Sequence, residues 1–202
     1  MTANLIVHTP EGFLFAADSR LLSGSYVLTD HAQKLFRLSD FSACVCSGYF
    51  GDGGELHNFF QTYADTLQTF SVRQAAVFVW EHAAEIFARL PPDALTSITI
   101  AGYSAQIPQL FRILLHSDSI TLEVRRHPQL QWIATGDETF TGVARESRLL
   151  DGVPALDIAL EHARHLILLS QELLARRLPV SPIGGTLQFA TITPTQPFRT
   201  IS

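Results

Sequence analysis

The chain has 202 residues, enough for one domain with a substantial core. Its apolar fraction is 47% and its charged fraction 16%, a globular rather than a disordered composition. A formal charge of −5, with only the isolated pairs Arg125-Arg126 and Arg176-Arg177 as basic features, argues against nucleic acid or anionic membranes as partners.

The opening stretch MTANLIVHTPEGFLFAADSR has no cation before Arg20, so it lacks the basic start of a signal peptide. The longest apolar segment, PALDIALEHARHLILLSQELLARR, is interrupted by Asp157, Glu161, Arg164 and two histidines. It predicts an amphipathic or buried helix rather than a membrane span. A soluble, cytoplasmic protein is expected. Cys44 and Cys46 lie two apart in SACVCSG, too close in sequence for an easy disulfide, and are expected to be reduced.

Taken in order, residues 4–9 and 12–18 read as strands joined at Pro10-Glu11-Gly12. Strands at 25–30, 34–40 and 42–48 follow. GDGG at 51–54 then changes the period, and 55–68 and 71–90 read as helices. Ser71 is placed to cap the second, and Pro91-Pro92 to stop it. Strands return at 97–104, 109–118, 119–126 and 130–137. Helices at 139–150 and 155–177 precede a last strand at 186–193. No repeat, low-complexity tract or linker divides the chain, so residues 1–202 read as one domain. Strands and helices are grouped rather than alternating, which predicts an α+β fold with largely antiparallel sheet. Two helix pairs need two sheet faces to cover. The simplest packing is two stacked sheets with a helix layer outside each.

Thirteen of the 14 basic residues are arginine, and Lys34 is the single lysine. Lysine differs from arginine in giving up its proton when desolvated or crowded by cations, so one lysine in an arginine-rich chain is either accidental or a place where a guanidinium would not serve.

The stretch GFLFAADSRLLSGSYVLTDHAQKLFRLSDFSACVCSG resembles the front half of a proteasome β subunit. The matching pieces are AADSR after an early strand, a GSY…D turn, QK before an aromatic-containing strand, and a strand ending in SG. The resemblance implies the four-layer αββα sandwich of the N-terminal-nucleophile (Ntn) hydrolases. In that family the nucleophile is an N-terminal threonine. From Thr2, the spacings to Asp18, Lys34 and Gly48 match, without a gap, those of the family's catalytic Asp, catalytic Lys and oxyanion-hole glycine. IATGD at 133–137 is similar to the family's Gly-Ser-Gly segment, with Thr135 at the serine's place. Ala32, Phe36, Cys46 and Phe50 fall where the family lines its S1 pocket, which implies cleavage after hydrophobic side chains.

The chemistry suits these residue types. A threonine hydroxyl needs a base, and an α-amine with a pKa near ~8 can be one. A point-like ammonium beside the hydroxyl assists, a carboxylate orients it, and a backbone N–H faces the oxyanion. Only Met1 precedes Thr2, and Thr2 is small enough for ordinary methionine removal to free its amine. The resemblance weakens late in the chain. Where the family carries Asp-x-x-Ser before a glycine, LPVSPIGG puts Val180 and Ile183, with Ser181 out of register.

The expected activity is threonine-type peptide hydrolysis within stacked rings of a divergent bacterial proteasome-like protein. Its substrate would be a peptide or unfolded protein, and no cofactor is called for. Whether an unfolding ATPase partners such rings is not written in the sequence. The alternatives are a catalytically silent ring scaffold and an Ntn amidohydrolase acting on a small amide. No metal site is expected: His162 and His165 share a helical face with Glu161 nearby, but no third ligand is placed. GDGG lacks the GK[ST] ending of a phosphate loop, and no G-x-S-x-G occurs.

Overall fold

The computed structural model describes residues 2–51, 54–86, 94–116, 119–125, 132–153 and 155–201. The first hairpin joins β1 (Ala3–Thr9) to β2 (Gly12–Ala17). Thr9 closes its turn, Oγ1 accepting from Glu11 N at 3.2 Å and Gly12 N at 3.3 Å. Next come β3 (Leu21–Ser23), β4 (Tyr26–Thr29), β5 (Leu35–Ser39) and β6 (Ser42–Gly48).

The helices α1 (Glu55–Thr62), α2 (Ala64–Gln68) and α3 (Val72–Ile86) then precede β7 (Leu95–Ser104), β8 (Ile107–His116), β9 (Ile120–Arg125) and β10 (Trp132–Gly136). The remaining elements are α4 (Glu138–Ser147), α5 (Leu156–Ala175), β11 (Gln188–Ile192) and β12 (Arg199–Ile201). Ser71 and Gln74 form a reciprocal cap at the start of α3, Ser71 Oγ accepting from Gln74 N and Gln74 Oε1 from Ser71 N.

Two five-stranded antiparallel sheets are stacked. Their strand orders are β10-β1-β2-β11-β12 and β5-β6-β7-β8-β9, while β3 and β4 form a separate ribbon. Three apolar layers result. Leu5, Val7, Leu14 and Phe189 pack under α4 and α5 with Phe140, Leu166 and Ile167. Ile98, Ile100, Phe111 and Cys46 pack under the first three helices with Leu56, Phe59 and Val79. Ile6, Phe13, Phe15, Val45 and Ala190 fill the space between the sheets. This is the expected αββα order. Strands β1 and β2 are covered on both faces, which is why they read as continuous apolar runs rather than alternating ones.

Some boundaries differ from expectation. The helix predicted over 55–68 is divided at Tyr63, which ends α1 and begins α2. The strand predicted at 25–30 has a partner at 21–23, and β12 was not expected. Met1, residues 52–53 of GDGG, 87–90 with the Pro91-Pro92 stop, and the starting residues of the predicted strand 130–137 lie outside the described residues. No described helix is long and apolar enough to cross a membrane.

Candidate active site

Thr2 stands just ahead of β1 and is buried. Its carbonyl accepts from Asp137 N at 2.7 Å. Asp137 also caps α4, its Oδ1 accepting from Thr139 N at 2.8 Å, so the helix start and the chain start are tied together. The β1–β10 register sets Ala3 opposite Gly136. Gly136 has φ +121, and a Cβ there would lie 1.8 Å from the Thr2 carbonyl oxygen. Only glycine allows this approach.

Asp18 follows the last residue of β2 and is fully buried. Its Oδ1 accepts from Ala3 N at 2.9 Å, and its Oδ2 accepts from Gly184 N at 3.1 Å and Arg20 N at 3.3 Å. Three backbone donors thus stabilise the ionised carboxylate before any side chain is counted.

Lys34 precedes β5 and is 0% exposed, an unusual state for a lysine. Its Nζ donates to Asp18 Oδ1 at 2.9 Å, to the Arg20 carbonyl at 2.5 Å, and to Thr2 Oγ1. All three ammonium protons therefore have an acceptor. Burial pulls the Lys34 proton affinity below the usual lysine value, and the Asp18 carboxylate opposes that pull without cancelling it. The arrangement puts a hydroxyl, an ammonium and a carboxylate in one contiguous hydrogen-bonded chain, shielded from water.

Gly48 ends β6 opposite Thr96, with φ +97. A Cβ on Gly48 would lie 1.9 Å from the Leu95 carbonyl oxygen, so this position also excludes a side chain. Thr135 sits on β10, buried, opposite Asn4 of β1. Its Oγ1 accepts from Ser47 Oγ at 3.3 Å, which links β10 to β6 one residue before Gly48. Thr2, Asp18 and Lys34 therefore form one network, while Thr135 joins Ser47.

The four residues expected to line S1 divide. Phe36, Cys46 and Phe50 belong to the cluster beneath α1 to α3, where Phe36 stacks on Phe60 with ring centroids 4.6 Å apart. Burial and the neighbouring Cys44 thiol push the Cys46 thiol well above its ordinary pKa, so it is a neutral apolar group. Ala32 is half-buried and belongs to the loop before Lys34; its N donates to Ser19 O at 2.9 Å.

The late turn contributes through its backbone. Gly184 N reaches Asp18, and Gly184 O accepts from Ser19 N at 3.1 Å and Arg20 N at 3.0 Å. Ile183 is fully buried in the helix-side core, and Ser181 Oγ donates to Ile183 O at 2.8 Å. Arg20 completes this shell. It pairs with Asp30 through Nε–Oδ1 at 2.6 Å and Nη2–Oδ2 at 3.0 Å, and its Nη1 donates to Ser181 O at 3.1 Å. The side chains of Arg20, Ser47 and Gln188 were not singled out from the sequence, and Ser181 was noted only as out of register. Ser47 carries the plainest signal, being the polar neighbour of Gly48 on an apolar strand. Among the described residues, no group of three His, Cys, Asp or Glu side chains could hold a metal ion.

A family model described as "Proteasome subunit" matches residues 3–124, more than half of the chain, from β1 almost to the end of β9. That span contains Asp18, Lys34 and Gly48. No curated protein matches.

Proposed function

The chain belongs to the proteasome subunit family, and from that premise we propose that it is a threonine peptidase subunit of a self-compartmentalised ring, with residues 1–202 acting as one domain and Thr2, freed by removal of Met1, as nucleophile. Family membership supports a proteasome-like peptidase or scaffold. The observation that carries the peptidase reading is Lys34 Nζ, held between Thr2 Oγ1 and Asp18 Oδ1 in a buried network.

In this mechanism the α-amine of Thr2 takes the hydroxyl proton as Oγ1 attacks the scissile carbonyl carbon. The Lys34 ammonium, already donating to Oγ1, lowers the energy of the developing alkoxide, and Asp18 fixes Lys34 in place. The Gly48 N–H takes the oxyanion of the tetrahedral intermediate. Collapse breaks the C–N bond, and the proton on the α-amine passes to the departing amine. The acyl group stays on Oγ1 as an ester. Water then attacks that ester, gives its proton to the α-amine, and releases the carboxylic acid with Oγ1 reprotonated. Thr135 supports the site from β10. Ala32, Phe36, Cys46 and Phe50 are assigned to an apolar S1 site for hydrophobic residues on the family resemblance, although Phe36, Cys46 and Phe50 share a packed layer that Ala32 does not join.

The test is hydrolysis of a fluorogenic hydrophobic peptide by wild type, Thr2→Ala and Lys34→Ala, with the mass of the purified chain read for loss of Met1. Loss of turnover in both variants is expected; unchanged turnover in Thr2→Ala sinks the reading. A specific observation favours the scaffold as second reading: the places of the family's late Asp and Ser are held by Val180 and the fully buried Ile183. Absence of turnover by an assembled ring whose Met1 has been removed would select the scaffold.

A further inference from the structure

Gln188 opens β11 in one sheet, yet its side chain works on the loop that enters β5 in the other. Its Oε1 accepts from Lys34 N and from Leu35 N, each at 3.1 Å, and its Nε2 donates to Ala32 O at 2.7 Å. Both acceptor sites of the carboxamide oxygen are thereby filled. A flipped amide would turn its NH2 against two N–H donors, so the orientation is fixed by the network.

The loop is held from its other sides as well. Ala32 N donates to Ser19 O, and Cys46 N donates to Lys34 O, each at 2.9 Å. The backbone of Gln188 pairs with Ala17, the residue before Asp18. One residue thus registers against the strand that delivers Asp18 and grips the backbone that delivers Lys34. A lysine side chain is long and flexible, so Nζ can be no better placed than the Cα that carries it.

We propose that Gln188 is the positioning residue for Lys34, setting its backbone so that Nζ meets Thr2 Oγ1 and Asp18 Oδ1 together. The inference rests on the peptidase reading for its consequence in turnover, but its geometric part can be tested without turnover. Because Lys34 is the single lysine of the chain, ε-carbon labelling of lysine gives one signal that reports this residue alone. Among the described residues, the charged groups acting on that ammonium are Asp18 and Arg20, the latter paired with Asp30.

The experiment compares wild type with Gln188→Met, which keeps the length and removes all three hydrogen bonds, and with Gln188→Glu, which keeps an oxygen for the two amides. In Gln188→Met, kcat for the hydrophobic peptide is expected to fall ~10- to 100-fold, as for other groups that orient a reacting side chain, with little change in KM. The Lys34 titration midpoint is expected to move up, toward the ordinary ~10.4, as water reaches a loosened ammonium. Gln188→Glu is expected to recover part of kcat. A lower melting temperature with kcat and the Lys34 titration unchanged would overturn the proposal, leaving Gln188 a structural residue. So would a folded Gln188→Glu as slow as Gln188→Met. If wild type, assembled and freed of Met1, hydrolyses no peptide but the Lys34 midpoint still moves in Gln188→Met, the positioning stands and the peptidase reading fails.

Discussion

The Gly184 N–H donates to Asp18 Oδ2 over 3.1 Å, so the turn before β11 supports a carboxylate that also accepts from Ala3 N and Arg20 N. The Asp18–Lys34 pair is therefore lopsided. Without Lys34, Asp18 keeps three backbone donors. Without Asp18, the acceptors left to Lys34 among the described residues are neutral, the Thr2 hydroxyl and the Arg20 carbonyl. Breaking a buried pair typically costs about 3–5 kcal/mol because a charge is left without its partner. Asp18→Asn should reach that range, whereas Lys34→Met should fall short of it. Urea unfolding of both variants checks the order, and equal losses would mean that the backbone donors do not support the charge of Asp18. Both variants should lose peptide turnover.

Arg20 and Asp30 form a two-pronged pair at the rim, with side chains 18% and 39% exposed. The hydrogen bond to Arg20 holds the Asp30 carboxyl below its usual range, and the same bond raises the Arg20 proton affinity. A carboxylate whose folded pKa is depressed stabilises the fold above its unfolded value, about 3.9, and that contribution is lost as pH falls through the lower folded value. The Asp30→Asn variant should melt below wild type at neutral pH, and the gap should close in strong acid. It should also shrink in high salt, since the pair is partly exposed. A gap constant with pH would assign the effect to packing rather than charge.

The layers were legible from local order, whereas the central trio was reached through the family resemblance, by the spacing from Thr2 to Asp18 and Lys34. Grouped strands and helices give the αββα stacking, and Lys34 stands out as the single lysine of the chain. The two sides of the late turn were not equally readable. Val180 and Ile183 mark the missing side chains, but the Gly184 backbone donor to Asp18 leaves no trace in residue types. Gln188 is a polar residue with the same parity as Ala190, which faces the inter-sheet layer, so a strict strand reading of 188–192 could have flagged it. The β7–β8 turn was placed between strands ending at 104 and starting at 109, but its tight two-residue form was not legible. Ala105 and Gln106 both take positive φ, at 50° and 65°, without the Asn-Gly pair that announces such a turn. Tyr63, which divides the predicted helix, carries no helix-breaking chemistry of its own.

Thr99 is fully buried on β7, and among the described residues its Oγ1 has no hydrogen-bond partner. The side-chain amide of Asn4, buried on β1, is in the same state. Threonine and valine differ here by a hydroxyl that makes no hydrogen bond yet had to leave water. Thr99→Val should therefore stabilise the fold, by about 1 kcal/mol or more on the usual cost of an unsatisfied buried group. Thermal or urea unfolding reads this directly. A loss of stability would show that the hydroxyl is bonded in solution, for example to an internal water between the sheets.

Gly136 offers the sharpest separation of site geometry from general backbone strain. Its φ of +121 and the 1.8 Å approach of a built Cβ to the Thr2 carbonyl leave no room for a methyl group. The obstructing atom is backbone, so a side-chain rotation cannot relieve the clash. Gly136→Ala must push Thr2 away and strain the Asp137 N to Thr2 O bond at 2.7 Å. Displacing a nucleophile by about 1 Å can cost on the order of a hundredfold in rate, so turnover should fall at least that far, with a stability loss of about 1–3 kcal/mol for the forced conformation. Gly152 supplies the control. It also has positive φ, +66, but a Cβ there meets nothing within 4 Å among the described residues. Gly152→Ala should bring only the left-handed penalty, about 1–2 kcal/mol, and leave turnover intact. If both variants lost turnover alike, the loss would come from the fold as a whole and not from the displacement of Thr2.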